Sequence, residues 1–159
     1  MPFSAIPDRI FYCISYAVFA VPLMLFYAFF IPPFQVPDES SHFARAYQLT
    51  QGEFFPTKQP DPDAPGEYIV GGTTDPGIYL AAGKLTYLQF NSAKKYSINK
   101  AVEVNRYTWR DGEMRDTRSV SVNAPTFYAI PALGVVLGQY LDKSMVQTLT
   151  LSLMINGFV

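Results

Sequence analysis

Residues 37–47 read PDESSHFARAY and hold two adjacent carboxylates, Asp38 and Glu39, the chain's only histidine, His42, and a guanidinium, Arg45. If a helix begins at Asp38, then Asp38, His42 and Arg45 fall at i, i+4 and i+7 and share one face, with Glu39 beside His42 at i, i+3. A carboxylate in that row can take a proton from an attacking hydroxyl. It can equally hold a divalent cation, magnesium or manganese, with Asp38 and Glu39 as the ligand candidates. Arg45 is planar and permanently charged, and can grip a phosphate through two parallel hydrogen bonds. The same residue types have plain structural uses. Aspartate after proline is a common helix cap, a lone histidine on a helix is more often structural than a ligand, and Arg45 can pair with Asp38, Glu39 or a lipid headgroup. On the residues alone both readings stay open.

The elements that must position this row start with Ile10–Ile31, twenty-two residues without a charge. That is long enough to cross a bilayer as an uncleaved anchor, and its bulky FFIPPF exit is unlike the small-residue cleavage site of a signal peptide. Pro22 is tolerated in such a helix. A second uncharged run, Ala124–Leu141, opens behind Asn123 with Pro125 in its first turn, a helix-start pattern. Its Gly134 and Gly138 form G-x-x-x-G, which lets another helix approach closely. A third uncharged run, residues 144–159, reaches the last residue without a stop signal and reads as the opening of a third span in a truncated chain. Arg9 before the first span and Lys143 after the second put residues 1–9 in the cytoplasm and the loop 32–123 on the outer face.

Within that loop, residues 38–51 read as a juxtamembrane helix closed by Gly52. Residues 56–77, dense in proline, aspartate and glycine, read as loop. Residues 78–90 have helical apolar spacing behind Asp75-Pro76, and residues 106–122 alternate around Asp111-Gly112 as a β-hairpin. A net charge of −1 lacks the basic field that nucleic acid requires, and the single cysteine, Cys13, excludes an intrachain disulfide.

The succession of a first span, PPFQVPDESSHFARAYQLTQGEFFP, a long outer loop and VNAPTFYAIPALGVVLGQYL resembles the N-terminal part of a family of uncharacterised polytopic bacterial membrane proteins placed with the GT-C superfamily of glycosyltransferases. Pro37, Asp38, Glu39, His42, Arg45 and Tyr47 carry the first feature of the resemblance; Asn123, Ala124, Pro125, Tyr128 and Pro131 carry the second. The resemblance implies an all-α, GT-C-like integral protein of the bacterial cytoplasmic membrane, with amphipathic helices and a small β-hairpin in the long extracytoplasmic loop. It also implies transfer of a sugar from a polyprenyl-phosphate-linked donor to a hydroxyl of a glycan or lipid acceptor, in assembly of cell-surface polysaccharide or glycolipid. On that expectation the acidic residue Asp38 is the catalytic group, as base or metal ligand, with Glu39 as second choice and His42 orienting it. Arg45 or a loop arginine (Arg106, Arg110, Arg115, Arg118) holds the phosphate, while Tyr47, Trp109 and Tyr128 contact substrate. The competing expectation is a non-catalytic membrane-anchored protein whose outer loop binds a partner or glycan.

Overall fold

The computed structural model describes residues 7–157, so residues 1–6 of the expected cytoplasmic N-terminus and the last two residues of the expected third span lie outside the described residues. Helix α1 (Asp8–Phe30) has no buried side chain. At 1.5 Å per residue its 23 residues reach about 35 Å, enough for a hydrocarbon core of about 30 Å. Among the described residues it is the one helix long and apolar enough to cross a membrane.

Pro32 and Pro33 end α1, and the chain turns through Phe34, whose φ of 59° is a left-handed conformation unusual for a bulky, buried residue. Helix α2 (Glu39–Thr50) follows and buries Phe43, Ala44, Ala46 and Tyr47. It stops at Gly52 as expected. Gly52, at φ 79°, lets its own N–H reach the Leu49 carbonyl and the Glu53 N–H reach the Gln48 carbonyl, a paired closure of the last turn.

The segment expected to be loop instead holds β1 (Thr57–Pro60) and β2 (Tyr68–Thr74), an antiparallel pair, and β3 (Glu113–Asp116) completes a three-stranded sheet in the order β1-β2-β3. The hairpin expected at 106–122 is absent. Neither Asp111 nor Gly112 has a positive φ, as a two-residue hairpin turn of that type requires, and β3 pairs with β2 some forty residues earlier (Gly72↔Arg115). Gly71 is obligatory in the central strand, since a Cβ there would come within 2.7 Å of the Thr117 amide nitrogen.

Helix α3 (Pro76–Gly83) starts where Asp75-Pro76 predicted, with Asp75 accepting from the Gly77 N–H at 2.7 Å. A 3₁₀ turn (Thr86–Leu88), α4 (Ile98–Val104) and α5 (Arg118–Ser121) complete the loop region. A second 3₁₀ turn (Pro125–Tyr128) then leads into α6 (Ala129–Tyr140), and α7 (Met145–Gly157) follows.

Helices α6 and α7 form an antiparallel hairpin set by the two glycines. A Cβ on Gly134 would meet the Ser152 amide nitrogen at 2.7 Å, and one on Gly138 would meet the Thr148 Cβ at 2.7 Å. In turn α7 runs antiparallel to α1, with Gly157 against Met24 and Val146, Gln147 and Thr150 facing Ala28, Phe29 and Ile31 across a shared cavity.

The run expected as a second span holds the second 3₁₀ turn and, directly after it, α6, whose 12 residues extend about 18 Å in the same direction as α1. The turn after it is tied to the loop. Trp109 Nε1 donates to the Lys143 carbonyl at 3.1 Å, the Met145 N–H to the Tyr107 carbonyl at 2.9 Å, and Ser144 Oγ to Asn105 Oδ1 at 2.9 Å. Lys143 therefore lies beside Tyr107 and Trp109 of the loop. It is α7 that returns along α1.

Candidate functional site

The two stretches that carry chemistry in the sequence, residues 37–47 and 123–131, meet where α1 ends. Tyr128 is buried at the junction of the second 3₁₀ turn and α6. Its phenol oxygen lies 2.9 Å from His42 Nδ1 and accepts from Asn123 Nδ2 at 3.0 Å, and the Tyr128 and His42 rings stack with centroids 5.8 Å apart. Beside this chain of contacts is a cavity of about 420 Å³. Glu39, His42, Asn123 and Tyr128 supply its polar wall on one side, and Ser152 and Asn156 of α7 on the other. Phe43, Phe127, Pro131, Leu149 and Leu153 make up its apolar surface. Ser152 is almost wholly buried, and its hydroxyl has no hydrogen-bond partner among the described residues, a polar group left for whatever fills the cavity. Asn156 adjoins Gly157, which sits against Met24, six residues inside the end of α1. The cavity floor thus lies about 9 Å below the point where α1 ends.

Asp38 and Glu39 are neighbours with opposite surroundings. Asp38 holds the position before α2, and its carbonyl accepts the His42 N–H at 2.9 Å. Its backbone is left-handed (φ 60°) and its side chain makes no capping bond, so the cap expected from Pro37-Asp38 is absent. The carboxylate is exposed. Holding a non-glycine residue left-handed costs about 1–3 kcal/mol, and such strain gathers at functional sites.

Glu39 turns inward and is 9% exposed. Burial pushes its carboxyl above the usual range, and the amides of Val36, Phe34 and Gln35 partly oppose that rise. Among the described residues no group of three or more His, Cys, Asp or Glu converges as a metal cluster. A divalent cation here would have the exposed Asp38 as its candidate protein ligand, with other positions filled by water or a bound phosphate.

Arg45 lies elsewhere than on an exposed phosphate-binding face. It is 1% exposed and its Nη atoms donate to Gln48 Oε1 (3.1 Å) and to the carbonyls of Glu53 (3.0 Å) and Phe54 (2.6 Å). Burial lowers its pKa, with Tyr128 and Glu53 opposing that shift. The guanidinium thus pins the chain after α2. Tyr47 and Trp109 stack on each other at 5.5 Å, with Phe43 beside them, so their faces are spent on the core. Arg106 is exposed without an ion pair among the described residues, whereas Arg115 pairs with Glu113 (2.6 Å) and Arg118 with Asp116 (3.1 Å).

Sequence reasoning passed over Asp75 except as a helix start. It is fully buried, takes N–H bonds from Gly77 and Arg110, and is raised by burial against those two bonds. It also missed the second cavity, about 520 Å³ between α1 and α7, whose polar groups include Tyr96, Asn105, Lys143 and Gln147.

An apolar helix long enough to cross a bilayer and a mostly helical body folded back on it are those of a membrane protein, with the candidate cavity near the end of that helix. Residues 22–156 match the family model described as "Predicted membrane protein (DUF2142)", and the chain belongs to that family. No curated protein and no solved structure matches the chain.

Proposed function

We propose that the protein is a glycosyltransferase of GT-C type, moving a sugar from a polyprenyl-phosphate-linked donor to a hydroxyl of a glycan or lipid acceptor on the outer side of the bacterial cytoplasmic membrane. The observation that carries this reading is the cavity itself. A carboxylate (Glu39), an imidazole and a phenol from separate stretches of chain meet at a pocket that is apolar on one side, with the exposed carboxylate of Asp38 next to Glu39 in the chain. A lipid-linked donor needs such a boundary position, because its tail stays in the bilayer while its sugar stands in water.

When the acceptor oxygen bonds to the anomeric carbon, the bond to the phosphate breaks, the phosphate leaves with the electron pair, and the acceptor's proton passes to a base. Asp38, exposed and unengaged, and Glu39, whose raised pKa suits it to taking a proton, are the two bases available, with His42 in reach of the same cavity. Arg45 is committed to loop carbonyls, so the candidates for the positive charge opposite the departing phosphate are Arg106 and Arg110, both exposed and without an ion pair among the described residues. A magnesium or manganese ion held by Asp38 would supply the same charge when bound.

The test is donor consumption by the protein in liposomes given a panel of polyprenyl-phosphate sugars, for wild type, Asp38→Asn and Glu39→Gln. Loss of about 10²-fold or more in turnover with donor binding retained is expected for the residue that serves as base. Wild-type activity in both variants refutes this assignment. A wild type that consumes no donor favours the non-catalytic reading, in which the outer loop binds a partner or glycan.

A further inference from the structure

We infer that Asn123 and Tyr128 are positioning residues that hold neutral His42 as its Nε2–H tautomer, so that the ring presents a hydrogen-bond donor to an oxygen-rich, uncharged ligand in the cavity. The argument is a count of protons. Asn123 Nδ2 is a pure donor and gives a hydrogen to the Tyr128 oxygen at 3.0 Å. With that lone pair taken, the phenol's own O–H is directed along its remaining short contact, 2.9 Å to His42 Nδ1. A ring nitrogen that accepts a hydrogen carries none, so in the neutral imidazole the proton sits on Nε2. Among the described residues Nε2 has no hydrogen-bond partner, while His42 lines the cavity.

The rest of the lining sets the ligand class. Glu39 supplies acceptors, His42 Nε2–H a donor, Asn123 and Asn156 amides and Ser152 an unpartnered buried hydroxyl, and no lysine or arginine is among them. Alternating donors and acceptors without a cation, beside the apolar faces of Phe43 and Phe127, match a polyhydroxylated group such as a sugar ring and are ill suited to a bare phosphate. Naming the occupant as the sugar or acceptor portion rests on the transferase reading. The tautomer does not, because it is a property of the folded chain.

His42 is the chain's only histidine, so ring-¹⁵N-histidine labelling gives a single pair of nitrogen signals, read in detergent at about pH 8.5, above the ordinary imidazole range. Wild type is expected to show a protonated Nε2 and an unprotonated, hydrogen-bonded Nδ1. Because a free imidazole already leans toward Nε2–H, the discriminating variant is Asn123→Asp. Its carboxylate only accepts, so the phenol must donate to it, the Tyr128 oxygen becomes an acceptor, and the proton moves to Nδ1, reversing the two signals. Tyr128→Phe, which keeps the ring, is expected to remove the Nδ1 hydrogen-bond shift. Nδ1–H in wild type, or unchanged signals in a folded Asn123→Asp protein, overturns the inference. Ligand class is read separately by titrating wild type with a soluble oligosaccharide and with inorganic phosphate. Saturable perturbation of the Nε2 signal by the sugar is expected, and perturbation by phosphate alone contradicts the class.

Discussion

Replacing Gly134 by alanine tests the helical hairpin that shapes one wall of the cavity. The added Cβ would stand 2.7 Å from the Ser152 amide nitrogen, roughly 1 Å inside van der Waals separation, and the obstacle is backbone that cannot rotate away. Overpacking of this kind costs about 1–3 kcal/mol, and alanine's better helix propensity returns up to about 1 kcal/mol. A net loss of about 1–2 kcal/mol is expected, or a fall of about 2–4 °C in Tm per kcal/mol for a chain of this size. Gly83→Ala is the matched control. Nothing lies within 4 Å of a Cβ there, so that variant is expected to hold or gain about 0.5–1 kcal/mol. Thermal unfolding of both in detergent decides it. A Gly134→Ala protein as stable as wild type, or equal losses in both variants, refutes close packing of α6 on α7 through this glycine.

Arg45→Lys keeps the charge but cannot span Gln48 and the Glu53 and Phe54 carbonyls, so urea unfolding is expected to show a loss of about 1–3 kcal/mol. Asp75→Asn turns one acceptor into an amide NH2 donor against the Gly77 or Arg110 N–H, and a similar loss of about 1–3 kcal/mol is expected in the same assay. Glu39 has its pKa raised by burial, so its favourable contribution is complete in acid, below the unfolded value, and is lost as pH rises through the folded one. Glu39→Gln is therefore expected to stabilise the fold at pH 8 and to match wild type at pH 4, by thermal unfolding at the two values.

What could be read from the sequence was local. An uncharged run of twenty-two residues reports its own environment, Gly52 and Asp75-Pro76 mark helix ends through backbone chemistry of a few residues, and the two glycines of α6 announce close approach. The long-range pairings were not legible. Nothing in TKQP or YIVGGTT states that β2 takes β3 as a partner, and the Asp111-Gly112 signal mimicked a turn because its dipeptide suits one in isolation. At the site, residue types indicated that Asp38, Glu39 and His42 were worth attention, but the inward turn of Glu39 depends on Phe34 being left-handed. The burial of Arg45 depends on where Glu53 and Phe54 return, and the Tyr128 contact spans 86 positions of sequence.

The central claim is that the chain after α1 stays with the loop through Lys143, bringing residues 123–131 back to His42, and only then returns along α1. Single-cysteine labelling tests it most directly. With Cys13 replaced by serine, Arg9→Cys, Lys58→Cys and Lys143→Cys are each exposed in turn to a membrane-impermeant maleimide from one face of oriented vesicles. Labelling of positions 58 and 143 from the same face, with position 9 reached only from the other, is the predicted result. Position 143 labelled together with position 9 would place α6 across the bilayer and contradict the account.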